Sequence, residues 1–223
     1  MDTLTDEILH ICTYLADTDN IHFSVTSKRF SVIKFCVLFF AKVRIKDIIH
    51  LSYFHQFSDV IMSDTNDPLP KHIIHLTFGE YFNKPINGCI PNSVTHLTFG
   101  TYFDQPINSC IPNSVTHLTF GWNFNQQING CISDSVTNLT FGSCFNQPIK
   151  DCIPDSVTHL TFGWNFNQPI NNCIPDSVTH LTFGYDFDKD LDELPISINN
   201  IELSSNYKRS ISEKILPKVT IRK

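Results

Sequence analysis

The sequence of 223 residues has no long hydrophobic run; its longest uncharged apolar stretch, Phe35 to Ala41, is closed by Lys34 and Lys42. A membrane-spanning helix needs about 20 such residues, so no transmembrane helix is expected. Charge is scarce as well, at 17% of residues against about 25% in an ordinary soluble domain. Positive charge is the scarcer sign: 16 Lys and Arg face 22 Asp and Glu, a formal net charge of -6. Nucleic acid and anionic membrane select basic surfaces, so neither is expected as a partner. There is no Gly-rich phosphate loop, no H-E-x-x-H and no G-x-S-x-G, so the chain is not expected to be an enzyme or to carry a cofactor. The opening Met1-Asp2-Thr3-Leu4-Thr5-Asp6-Glu7 is acidic where a secretory signal is basic, which points to an intracellular, cytoplasmic protein.

What is abundant is repetition. Shifted by 21 residues, the chain superposes six copies of one unit. Leu recurs at 76, 97, 118, 139, 160 and 181, and a Phe-Gly pair follows each, from Phe78-Gly79 to Phe183-Gly184. A second Phe keeps the same step from Phe82 to Phe187, so two rings per copy account for twelve of the 19 Phe. In Leu160-Thr161-Phe162 the apolar residues alternate with a polar one, the period of a strand with Leu and Phe inward. The following Gly is expected to end the strand at a turn. Pro at 85, 106, 148 and 169 keeps the return segment out of a central strand. Ile-Pro-Asn/Asp-Ser then turns back into the next copy. So short a unit leaves room for turns and extended chain but for no full helix on its outer side. At about 4.8 Å per rung, six copies span roughly 30 Å. Each rung needs its neighbours to bury its Leu and Phe, which makes the array a solenoid. Leu194-Pro195-x-Ser197-Ile198-x-x-Ile201-x-Leu203 reads as a degenerate seventh copy before a polar end.

Three polar columns travel with the repeat. His75, His96, His117, His159 and His180, with Asn138 in the fourth copy, precede the inward Leu. A linear ladder does not offer the tetrahedron a closed zinc site needs, so a partly exposed polar ladder is expected and no metal. Cys89, Cys110, Cys131, Cys152 and Cys173 are expected to be a buried column of reduced thiols behaving as small apolar groups. Asn83, Asp104, Asn125, Asn146, Asn167 and Asp188 are short side chains suited to satisfying turn backbone groups.

Other positions change while the frame stays fixed. The residue after the Gly is Glu80, Thr101, Trp122, Ser143, Trp164 or Tyr185, and the next is Tyr81, Tyr102, Asn123, Cys144, Asn165 or Asp186. Such positions are not needed to build a rung, and Trp and Tyr are frequent binding hot spots. Tyr81, Tyr102, Trp122, Trp164 and Tyr185 are therefore the candidate residues for gripping a protein client; ordinary packing at the sheet edge is the alternative.

Residues 1–45 lack the period. Thr5 with Asp6 and Glu7 suits a helix start, and Ile8, Ile11, Cys12 and Leu15 fall on one helical face. Two further starts, at Asp17 or Asp19 and at Ser27, complete three short helices. The sequence thus predicts an α+β protein: a helical head over 1–45, a linker with a possible irregular rung over 46–70, six repeats over 71–193, and a degenerate repeat with C-terminal cap over 194–223.

Leu4-x-Asp6-Glu7-Ile8-Leu9-x-Ile11, with Tyr14-Leu15-x-Asp17-x-Asp19 and Val25-x-Ser27-Lys28-Arg29-Phe30, resembles an F-box, with Thr5 where Pro is usual. The Phe-Asn-Gln-Pro-Ile core and Ile-Pro-x-Ser-Val-Thr-His-Leu resemble FNIP repeats, a leucine-rich-repeat-like class. Together they resemble the F-box and FNIP repeat-containing proteins of social amoebae and of giant DNA viruses of amoebae. The resemblance implies a substrate-recognition subunit of an SCF-type ubiquitin ligase, docked on a Skp-family adaptor and cullin, working in the host cytoplasm if viral. It places Leu4, Ile8, Ile11, Leu15, Ile21, Val25 and Phe30 in the adaptor-docking unit. A head that merely caps the first rung, on a scaffolding solenoid without ubiquitin chemistry, is the other reading.

Overall fold

In four of the six repeats a Val-Thr-His-Leu-Thr-Phe run, and in the other two a close variant, puts Leu and Phe on one side of an extended backbone, and burying that side requires a neighbour of the same shape. A computed structural model describes residues 42–51 and 54–222 and shows this arrangement. Ten strands form one sheet: β1 (Val43–Arg44), β2 (Asp59–Met62), β3 (His75–Phe78), β4 (His96–Thr98), β5 (His117–Thr119), β6 (Asn138–Thr140), β7 (His159–Thr161), β8 (His180–Thr182), β9 (Asn200–Ser204) and β10 (Val219–Arg222). Sheet order equals chain order, and every neighbouring pair is parallel. From β3 to β8 the pairing steps by the repeat length, Leu97 against Leu118 and Leu118 against Leu139. The outer rungs are shorter. Asp59 pairs with His75 and Val43 with Val60 at the N-terminal side, His180 with Asn200 and Ile201 with Val219 at the other.

The expected α+β class is corrected by these strands. The described chain is almost wholly a parallel β-solenoid, and its one α-helix, α1, is the four residues Ile45–Ile48. No three-helix head is seen among the described residues; residues 1–41, where most of it was expected, lie outside them, as do Leu4, Ile8, Ile11, Leu15, Ile21, Val25 and Phe30. The segment after them has strand chemistry. In β2, Val60 and Met62 are buried while Asp59 and Ile61 are half-buried, the period-2 pattern of a sheet with one face covered.

Each rung closes through three tight turns. In the fourth strand's rung these are Phe103 N–H to Gly100 O (3.2 Å), Cys110 N–H to Ile107 O (3.1 Å) and Val115 N–H to Pro112 O (3.1 Å). Val115, Leu118, Phe120, Phe124, Ile128, Cys131 and Ile132 supply the core of the next rung, and their equivalents line the whole rod. The rings form two continuous stacks: Phe120 lies 5.5 Å from Phe141, and Phe124 lies 6.2 Å from Phe145. Within a rung Phe120 and Phe124 touch at 4.0 Å, which joins the stacks into one aromatic spine.

The repeated Gly after the strand has a different reason from a turn. Its φ is not positive; the backbone of the preceding rung passes where a side chain would sit, and a Cβ at Gly142 would overlap the Gly121 carbonyl. Left-handed backbone occurs elsewhere, at a return-turn position held by Gly88 (φ 66°), Ser109 (52°), Gly130 (62°), Asp151 (58°) and Asn172 (52°). The space beside Gly88 and Gly130 is open, so the non-glycine copies bear backbone strain without a clash. Ser109→Gly is expected to stabilise the protein by up to about 1 kcal/mol, the relieved strain exceeding the added chain entropy. A thermal midpoint raised by a few degrees is the expected reading, and a lowered one contradicts it.

Candidate functional site

One long side of the rod is the outward face of the sheet. The His column runs along it, with His96 and His117 stacked at 4.1 Å, His159 and His180 at 4.3 Å, and His75 edge-on to His96 at 4.4 Å. Except at His75, which follows Ile74, each ring sits beside the hydroxyl of the threonine before it, as Thr116 Oγ1 does 3.0 Å from His117 Nδ1. The hydroxyl in turn reaches the previous rung, Thr116 Oγ1 donating to Thr95 O at 3.2 Å. Burial, then the neighbouring imidazoles, push His96 and His159 below the ordinary imidazole range, so both are uncharged at neutral pH. At the N-terminal end His75 Nδ1 stands 3.7 Å from Asp59, whose carboxyl is raised chiefly by burial. Among the described residues no group of three or more His, Cys, Asp or Glu is arranged to hold a metal ion.

The opposite corners are structural. Asn125 Oδ1 accepts the Asn146 N–H at 2.9 Å and Asn146 Oδ1 accepts that of Asn167 at 3.0 Å, so the column ties each return turn to the next. A Gln column, which the repeat comparison passed over, clamps the same groups: Gln147 and Gln168 each donate Nε2 to both the side-chain and backbone oxygens of the previous rung's Asn. Arg209 closes the ladder, donating to Asp188 O at 2.8 Å. Cys110, Cys131 and Cys152 are buried, whereas Cys89 and Cys173 are half-buried. Each of the three buried thiols donates to an Asn side chain of the preceding rung, Cys131 to Asn108 Oδ1 at 3.2 Å. Burial pushes all five thiols up in pKa, away from nucleophilic thiolate.

The variable residues lie past the strand ends, just beyond the glycine column. Their backbone stays in the ladder, for Asn123 N donates to Thr101 O, Cys144 N to Trp122 O and Asn165 N to Ser143 O at 2.8–2.9 Å. The frame beneath is thus fixed while the side chains vary. All five expected client-contact residues are exposed: Tyr81 76%, Tyr102 46%, Trp122 58%, Trp164 51% and Tyr185 43%. They fall in two adjacent columns. Tyr81 and Tyr102 stack at 5.3 Å in one, while Trp122, Trp164 and Tyr185 share the other, where Trp164 stacks on Tyr185 at 4.6 Å. Beside the second column runs a groove of about 350 Å³, floored by Gly163 and Gly184, walled by Trp164 and Tyr185, and reaching from Ser143 to Ser204 and Arg222. Arg222 came from outside the repeats. The signal for the groove was the glycine column, which leaves a furrow wherever large residues stand next to it.

Residues 65–194 match the FNIP Repeat family in the overlapping windows 65–102, 82–122, 103–144, 124–163, 145–186 and 166–194, more than half of the chain. The chain belongs to the FNIP repeat family. The FNIP solenoid is also similar to the Putative F-box protein R638 of Acanthamoeba polyphaga mimivirus, 38% identical over 77 residues, 30% of this chain and 52% of that one. The chain therefore spans about half the length of that relative. Among solved structures it resembles CroV588, described as a novel circular LRR protein structure, with TM-score 0.66 and 34% identity over 75% of this chain and 30% of that one. FNIP solenoids thus share the leucine-rich-repeat type of architecture, which is typical of interaction modules. Among the described residues no helix is long and apolar enough to cross a membrane.

Proposed function

We propose that this FNIP solenoid is a non-catalytic substrate receptor that holds a protein client along its aromatic columns and presents it to an SCF-type ubiquitin ligase in the cytoplasm. The observation that carries the client half is the contrast between an invariant frame and exposed, varying Trp and Tyr on its surface. Large amphipathic rings on a rigid base gain contact area at little entropic cost. The ligase half rests on the F-box-like residues Leu4, Ile8, Ile11, Leu15, Ile21, Val25 and Phe30 and on the name of the mimivirus relative. In this reading they meet a Skp-family adaptor, itself bound to a cullin.

A pull-down of the full chain and of a chain lacking residues 1–41 against an amoebal Skp-family adaptor and cullin tests the ligase half, with circular dichroism confirming that both remain β-rich. Retention of the adaptor by the full chain alone is the expected result. If neither chain retains it while both stay folded, the ligase role is rejected and a binding solenoid without ubiquitin chemistry remains.

A further inference from the structure

The column containing Trp122, Ser143, Trp164 and Tyr185 is interrupted once. Trp164 and Tyr185, one rung apart, stack with their ring centres at 4.6 Å. Trp122 and Trp164 stand two rungs apart, about 10 Å on strand spacing, and the rung between them carries only the small Ser143. The groove beside the column begins at that serine. A flat group seated over Ser143 therefore stands one rung, about 5 Å, from each indole's place in the column, close to the 4.6 Å at which Tyr185 stacks on Trp164.

Charge decides which flat group. The repeats carry a net negative charge: between residues 85 and 188 there are seven aspartates, of which Asp186 stands at a variable position, and no glutamate, while Lys150 is the sole Lys or Arg. His159, in the strand beside β6, is held neutral. The groove's cationic residue, Arg222, is at the far end, where it donates to Phe183 O at 2.6 Å and faces Glu202 at 3.5 Å. Arg222 is offset there by Glu202, so the groove presents no net positive charge against a cation. A guanidinium is planar, stays charged and stacks on aromatic faces, and its attraction to indole extends to about 6 Å from the ring centre. We infer that the gap at Ser143 is a socket for an arginine side chain of a basic client segment, held between Trp122 and Trp164. The inference rests on the aromatic columns being the client face, and is independent of any ligase role.

The chain has only two tryptophans, and both flank the socket, so selectively excited tryptophan emission reports on this site alone. The probe is a short Gly/Ser-rich peptide with one central arginine between two lysines; control peptides replace the arginine by lysine or by the uncharged, planar citrulline. Titration with the arginine peptide is expected to change emission saturably, with both controls about tenfold weaker or worse. Ser143→Tyr fills the gap as Tyr185 fills the neighbouring position, without adding a tryptophan. It is expected to abolish the saturable response while leaving the thermal midpoint within a few degrees. Absence of a saturable change, equal responses to lysine or citrulline, or an undiminished response in folded Ser143→Tyr protein overturns the proposal. If the arginine response holds while an adaptor pull-down is negative, the socket stands and only the ligase role falls.

Discussion

Gly142→Ala is expected to destabilise the protein by about 3–5 kcal/mol, at the severe end for one added methyl group. The new Cβ would overlap the Gly121 carbonyl oxygen and come within 3.0 Å of Trp122 Cα. Both are backbone atoms of the adjoining rung, held by the sheet and by Cys144 N donating to Trp122 O at 2.8 Å. No side chain can swing away, so the rungs must part and break ladder hydrogen bonds. The control is Gly79→Ala, at the same place in the first copy, where the nearest atom to a built Cβ is Met62 O at 3.4 Å. That variant is expected to cost less than about 1 kcal/mol, in line with a tight but ordinary contact. Urea unfolding of the two variants side by side checks both; similar midpoints would show that the close approach is not what selects glycine.

Phe145→Ala is the second large effect, an expected loss of about 3–5 kcal/mol. Phe145 is fully buried and stacks on Phe124 at 6.2 Å, on Phe166 at 6.1 Å and on Phe141 at 4.0 Å. Its removal opens a void in the middle of the spine, flanked by rungs locked in register on both sides, so the walls cannot collapse into it. Phe145→Leu, which keeps most of the volume, is expected to lose clearly less in the same urea titration. Equal losses would mean that ring stacking, rather than filled volume, dominates the spine.

The parts of this molecule that could be read from the sequence are those governed by the repeat itself. The inward Leu and Phe and the Asn column recur at one spacing and meet their own copies in the next rung, and the Cys column keeps the same step while its buried thiols donate to Asn side chains. What could not be read obeys no such spacing. Strands β1 and β2 join the sheet through steps shorter than the repeat and carry none of its residues, so Val60 and Met62 read as part of a linker with at most one irregular rung, not as a paired strand. Strand β10 brings Ile221 and Arg222 to the sheet from a stretch that reads as a charged tail. The class expectation is overturned by the described residues, in which the segment 43–62, most of it read as linker, supplies strands β1 and β2, while the runs read as helices lie outside them. The glycine column was visible, but its cause was not, because a close approach of two backbones leaves no mark on the local sequence. The client-contact candidates are all exposed, whereas the gap at Ser143 has meaning only once Trp122 and Trp164 are known to share its column.

The identity of neighbouring strands has a consequence for how the chain finds its structure. His-Leu-Thr forms β4, β5, β7 and β8 alike, so a strand offered to the wrong neighbour meets the same side chains as in the right one. Skipping one rung loops out a single copy yet preserves nearly every other pairing, which places misaligned states close in energy to the native one. The same holds between two molecules, where a strand of one chain can complete the sheet of another. Asn138 in place of His, the differing residues beside each glycine, and the varying return-turn residues from Gly88 to Asn172 are among the marks by which the chain tells one rung from the next.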